Sequence, residues 1–496
     1  MTKKNQTRSD NSPFRHENHE RPVTRRQFLA QGFISGGALL TGPSLLGIFG
    51  RSGNAYAAEC GVQQAAAQAK IPFIAFDLAG GANIAGSNVI VGGKGGQKDF
   101  LPADGYVRLG LPTTMAPNLA GQINEQLGLV FHADSAFLRG ILSKASAATV
   151  ANTNGVVICA RSNDDTQNNP HNPIYGINKA GADGDLVQLI GTRTSDSGGN
   201  SVAPAYMVDA TAKPTKVAAP ADATGLIDTG RLGAILPAAA DSRALLSAIE
   251  RISALKTAAL TESQVVKELI GCAYTNTTAQ LTRFASPGVL DPRQDPNITT
   301  IFPTITGDKI NKTATVMKLV IDGYAAAGTI EFGGYDYHDG TRATGEVRDF
   351  QAGECIGAVL QYAAVKNTPV MVYVFSDGGI ASDGQIDNSA NGRGKGVWRN
   401  DSSSRAATFF LVFNPAGRPQ LTSPAKQQLG FYKPTGDLDT AATPISNNVQ
   451  QLAEAVVLNY LALHGEVGRF KQVLPNSGIA AAVPNLDDLV CFAPIV

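Results

Sequence analysis

The chain is short of the residues that build most cofactor sites. Its 496 residues include only five Cys, six His and one Trp. Cys60, Cys159, Cys272, Cys355 and Cys491 are widely spaced and none forms C-x-x-C, which argues against a cysteine-ligated zinc or iron–sulfur centre. The odd number leaves at least one thiol unpaired, and the spacing assigns no pairing. There is no dinucleotide fingerprint and no haem motif, which argues against a redox enzyme. Gly92-Gly93-Lys94-Gly95-Gly96 lacks the terminal Ser or Thr of a phosphate loop and its strand-then-helix setting. Net charge is absent too, with 41 basic and 41 acidic residues. No internal repeat is visible.

What is present begins with a leader. Residues 1–23 are polar, without apolar periodicity, and read as disordered. Thr24-Arg25-Arg26-Gln27-Phe28-Leu29-Ala30 follows, then an uncharged Gly-, Ala- and Leu-rich run from Gln31 to Gly50, interrupted by Gly42-Pro43. Small residues come next, at Ala55-Tyr56-Ala57-Ala58. A charged region, a weakly apolar region and an A-x-A site in that order predict a cleaved export signal. Paired arginines before Phe-Leu mark its twin-arginine version, which engages the twin-arginine export machinery and carries folded protein to the periplasm or beyond. Residues 1–58 are therefore expected to be the signal peptide and 59–496 a single domain. The leader carries 8 of the basic and 3 of the acidic residues, so the mature chain is mildly acidic. That gives no footprint for nucleic acid or anionic lipid. No apolar run of 18 or more residues follows the leader, so no membrane span is expected after cleavage.

The mature chain alternates between two periodicities. Short buried strands are predicted at Ile71–Asp77, Val156–Ala160, Gly328–Phe332, Val370–Phe375 and 406–413. Helices are predicted at 134–146, with Asp134 or Ser135 as N-cap, and at 240–257, 262–284, 308–327, 342–366 and 446–463. Apolar strands alternating with helices predict an α/β fold, a mostly parallel central sheet with helices on both faces. Gly-, Asn- and Ser-rich loops fall at 80–98, 162–200 and 376–404, and sites in such sheets lie beyond the carboxyl ends of the strands.

Three strands run into polar loops: Phe76-Asp77-Leu78-Ala79-Gly80-Gly81-Ala82-Asn83, Phe332-Gly333-Gly334-Tyr335-Asp336-Tyr337-His338-Asp339 and Val374-Phe375-Ser376-Asp377-Gly378-Gly379. Carboxylates and an imidazole at neighbouring strand ends can converge on a divalent cation, because hard cations take oxygen ligands and imidazole suits zinc or manganese. Each acid alone more often caps the next helix or forms an Asx-turn. His171, in Asn168-Asn169-Pro170-His171-Asn172-Pro173, lies in a polar loop. His132, beside Phe131, reads as structural, and His464 as the cap of the helix before it.

Taken in order, the Arg-Arg leader, the strand with Gly80-Gly81-Ala82-Asn83, the Asn-Pro-His171 loop, Phe332–His338 and Val374–Asp377 resemble a family of twin-arginine-exported bacterial proteins related to the alkaline phosphatase and sulfatase superfamily. The resemblance spans roughly residues 71–415. It implies an alkaline-phosphatase-like fold and a divalent metal ion (Ca, Mg, Mn or Zn) held by Asp77, Asp336, His338 and Asp377. It also implies that His171 contacts substrate and that a Ser, a Thr or a modified Cys serves as nucleophile, for which Ser87 lies within reach of the first strand's loop. The chain departs from the family pattern in three places. Asn83 stands where the family has Asp, Ala79 where it has Arg, and Gly394–Asp401 contains no late Asp-His-Gly. The sulfatase pattern Cys-x-Pro-x-Arg is also missing. The expected function is an exported metal-dependent hydrolase of phosphate or sulfate esters. The alternative is a non-catalytic periplasmic or envelope binding protein that keeps the fold.

Overall fold

The most apolar runs of the sequence become the middle of one sheet. In the computed structural model, which describes residues 70–163, 168–227, 251 and 287–496, the strands in chain order are as follows. They are β1 Phe73–Leu78, β2 Ile123–Asn124, β3 Phe131–His132, β4 Thr153–Ile158, β5 Val187–Gly191, β6 Thr215–Lys216, β7 Ala325–Phe332, β8 Val370–Ser376, β9 Ile380–Asp387, β10 Lys395–Asp401, β11 Thr408–Phe413 and β12 Gln428–Leu429. Eight of them form a sheet in the order β12-β4-β11-β8-β1-β7-β5-β6. All neighbours are parallel except those of β11, which runs antiparallel to β4 and β8.

Strands β1, β4, β7, β8 and β11 are buried at every residue, which is why β8 and β11 above all read as apolar runs without alternation. Helices cover both faces. The helices used here are α1 Ala136–Lys144, α2 Ile174–Lys179, α3 Asp308–Ile321, α4 Ala343–Val365 and α5 Val449–Leu463. On one face Phe73, Ala75, Tyr373, Phe375, Phe410 and Val412 share a core with α2 and α5. On the other, Val316 and Val320 of α3 press on Gly328, and Phe137 of α1 packs against Phe409. Each large apolar side chain buried this way contributes about 1.5–3 kcal/mol.

Local signals place the helix ends. Ser135 Oγ accepts from Leu138 N and starts α1, and Asn448 Oδ1 accepts from Gln451 N and starts α5. Helix α3 ends earlier than the sequence predicts. Gly323 sits at φ +81°, a left-handed stop, so Ala325–Ala327 are free to begin β7 despite their helical propensity. The 376–404 stretch, expected to be loop, holds the β9–β10 hairpin, and 162–200 holds α2 and β5.

By contacts the chain divides into two units, Ala65–Leu226 with Pro287–Val496, and Met1–Gln64 with Ile227–Ser286. The first carries the sheet. The expected leader, and apart from Arg251 the helices expected at 240–257 and 262–284, lie outside the described residues. Among the described residues no helix is long and apolar enough to cross a membrane.

Candidate functional site at the carboxyl rim of the sheet

Asp77 and Asp377 come from adjacent parallel strands, β1 and the end of β8, and both are fully buried. Asp77 Oδ2 accepts the backbone N–H groups of Asn200 (2.7 Å) and Ser201 (2.8 Å). Asp377 Oδ1 accepts from Gly80 N (2.7 Å), and its Oδ2 accepts from Asn200 Nδ2 (2.5 Å). Burial first, and then the charge of Asp377, push the Asp77 carboxyl up to about 8. Gly80 makes the junction possible. Its φ is +132°, and a Cβ there would lie 2.1 Å from Asp336 N, so the β1 and β7 loops can touch only at a glycine.

His171 is buried under the same rim. Its ring stacks on Phe375, and Nε2 lies 2.7 Å from Ser162 Oγ. Burial pulls its pKa down to about 3. Nδ1 is buried and has no hydrogen-bond partner. The expected substrate contact is not what this geometry offers, because the imidazole is walled in by β8 and reaches no surface.

Asp336 and His338 stand outside, each side chain about two-fifths exposed, with His338 Nε2 2.7 Å from Asp336 Oδ1. Asp401, at the end of β10, completes a trio whose ligand atoms lie within 4.8 Å of one another. Among the described residues this is the group of His, Cys, Asp or Glu that reaches such proximity, and Asp77 and Asp377 are not in it. The four expected metal ligands are thus split into a buried pair and an exposed pair on opposite sides of the Gly80 junction. Asp401 was missed because it arrives on a hairpin strand that the Gly/Asn/Ser-rich sequence does not announce.

Ser87 does not face His171. Its hydroxyl donates to Asn83 Oδ1 and accepts from Arg342 Nη2, and it is fully buried. Arg342 lies 4.5 Å over the Trp398 ring and pairs with Glu346, which also binds Lys395 (2.8 Å) and Arg139 (2.9 Å). The serine belongs to this buried ionic network and not to the rim. A nucleophile must approach a reacting centre, and this one is spent on an arginine.

The remaining polar candidates are structural. His132 Nδ1 accepts from Asp134 N, and burial lowers its pKa to about 4. His464 caps α5. The glycine loop at 92–96 folds around Asp99, whose carboxylate accepts from Gly95 N at 2.9 Å. Cys159, Cys355 and Cys491 are buried free thiols, with Cys355 and Cys491 pushed up to about 12 by burial.

Sequence reasoning also missed Asn169, Ser162 and Asn200. Asn169 Nδ2 donates to the Asp377 carbonyl at 2.6 Å. All three sit in the long polar loop expected to be functional, but nothing in their local sequence singles them out. No family model matches this chain, and neither the curated proteins nor the solved structures yield a match.

Proposed function

We propose that this chain is an exported, hydrolase-like protein of alkaline-phosphatase-like fold. In this reading it takes a divalent cation through Asp336, His338 and Asp401 and acts on phosphate or sulfate esters. The observation behind it is the trio itself, two carboxylates and an imidazole converging at the carboxyl rim of a mostly parallel sheet. Two carboxylates offset the charge of a dication, and a mixed oxygen–nitrogen donor set suits zinc or manganese. Exposure leaves room for water and substrate beside the ligands. Bound there, a cation supplies polarisation of a phosphoryl or sulfuryl oxygen and a lowered pKa for water. The export half of the proposal rests on the Arg25-Arg26 leader.

The test is metal analysis of protein exported through a twin-arginine pathway, with phosphomonoester, phosphodiester and sulfate-ester assays. A bound cation and turnover, both lost in Asp336→Asn/His338→Ala, are expected. Metal-free, inactive protein overturns the hydrolase reading. A second reading, a non-catalytic envelope protein that binds a partner or glycan, draws on one observation. The buried carboxylates are already bonded to protein N–H groups, and Ser87 is tied to Arg342.

A further inference from the structure

The segment after β5 is wound tightly over the buried pair. Ser195 Oγ donates to Gly199 O (2.7 Å), Ser197 Oγ donates to Ser201 O (2.5 Å), and Asn172 Nδ2 donates to Ser197 O (3.1 Å). A Cβ on Gly199 would lie 2.5 Å from Asp77 Oδ2 and 2.8 Å from Thr329 Cγ2, so glycine lets the backbone descend onto the carboxylate. From this platform Asn200, itself only 8% exposed, makes three bonds. Its backbone N–H reaches Asp77 Oδ2, its Nδ2 reaches Asp377 Oδ2, and its Oδ1 accepts from Arg193 Nη1 at 2.5 Å. Arg193 fixes the amide's orientation, because a guanidinium can only donate and so takes the oxygen, leaving the NH2 end for Asp377.

A cation ligated by Asp377 Oδ2 would need the place this NH2 group holds, since hard cations ligate the same carboxylate oxygens. We infer that Asn200 is a built-in plug. Its backbone N–H occupies Asp77 Oδ2 and its side-chain NH2 occupies Asp377 Oδ2, and together they keep that pair closed to metal. For a cation to enter, the amide must turn away from Asp377 and release Arg193. The Arg193 bond and the self-bonded Ser195–Ser201 turn both oppose that motion. The inference concerns a pair of acids distinct from the Asp336 trio and stands whether or not that trio binds metal.

The experiment is Mn2+ titration of the full-length exported protein, counting sites by calorimetry and by electron paramagnetic resonance of free Mn2+. Asn200→Ala is expected to gain a site about tenfold or more tighter than anything wild type offers at this pair. That site should vanish in Asn200→Ala/Asp77→Asn and persist in Asn200→Ala/Asp336→Asn. Asn200→Ser, which keeps the backbone N–H to Asp77 and a smaller side chain, repeats the test if the alanine variant fails to fold. If wild type binds no Mn2+ but the Asn200 variants do, the trio reading falls and the plug stands. If wild type already loses a site on Asp77→Asn, or the Asn200 variants gain none, the plug is overturned.

Discussion

Ser162 and His171 form one unit. Ser162 Oγ lies 2.7 Å from His171 Nε2 and 3.1 Å from the Ser376 carbonyl. A carbonyl can only accept, so the single hydroxyl proton goes to Ser376, and Ser162 accepts from Nε2–H. That fixes the imidazole tautomer, with the proton on Nε2 and a bare lone pair at Nδ1. The pair anchors the end of β8 just before Asp377.

Acid sensitivity follows from the buried imidazoles. His171 and His132 titrate at about 3 and about 4, below their ordinary 6.5, because burial disfavours the charged ring. Between those values the unfolded chain binds the extra protons. Their contribution to stability is therefore full above about 6.5 and is lost as pH falls toward 4. Urea unfolding is expected to lose on the order of 2 kcal/mol per histidine between pH 7 and pH 4.5. His171→Gln should flatten part of that slope, and an unchanged slope would count against it. Nitrogen chemical shifts should show the Nε2–H tautomer.

Asp349 of α4 works in the opposite direction. It is fully buried, accepts from Tyr337 OH (2.9 Å) and Asn88 Nδ2 (2.7 Å), and is pushed up to about 7 by burial and by Glu346. The folded protein holds this proton where the unfolded chain has released it. Its contribution is present below about 3.8 and fades as pH rises through 7. Asp349→Asn should therefore gain stability relative to wild type, by up to a few kcal/mol, as pH rises from 5 to 8 in parallel denaturation curves. A constant difference between the two proteins would refute the assignment.

The ionic network at Ser87 makes two substitutions separable. Glu346→Gln leaves Arg342, Lys395 and Arg139 short of a counter-charge in a buried setting, for an expected loss of roughly 3–5 kcal/mol. Ser87→Ala removes one acceptor from Arg342 and should cost about 1–3 kcal/mol. Neither should alter cation affinity at the Asp336 trio. If Ser87→Ala instead abolished ester turnover in a stable protein, Ser87 would be the nucleophile after all.

The thiols offer a simple check. Cys159, Cys355 and Cys491 are buried and held in the thiol form, so a thiol-reactive probe should label them only after denaturation. Peptide mapping of labelled native protein reads this directly.

The central strands Phe73–Leu78, Val370–Ser376 and Thr408–Phe413 were legible because burial on both faces leaves an apolar run, and the helix Ala136–Lys144 because Ser135 is a strong cap. Strand direction was not legible, since β11 carries the same Phe-Phe-Leu-Val signal as its parallel neighbours. The hairpin was hidden because Ile380–Asp387 is half exposed and Gly-interrupted, held by pairing with Lys395–Asp401 and not by its own pattern. At the site, acids at strand ends were readable as a class. Which of them meet was not, because Asp77 and Asp377 are joined by Asn200, which lies 123 residues from one and 177 from the other in the chain. The register of three loops decides that meeting, and no local spacing encodes it.

The first described strand lies in the middle of the sheet, between two strands made much later. β1 pairs with β7 on one side and β8 on the other, and about 300 residues separate Leu78 from Ser376. At roughly 5–20 residues per second, a ribosome needs about 15–60 s to supply both partners. Until β7 is complete at Phe332, Phe73–Leu78 has neither partner and is an apolar, β-prone hexapeptide on a nascent chain, the kind of segment that self-associates. A holding chaperone therefore has a defined client stretch here. Synthesis speed between residues 78 and 376 becomes a determinant of yield, independent of how stable the finished sheet is.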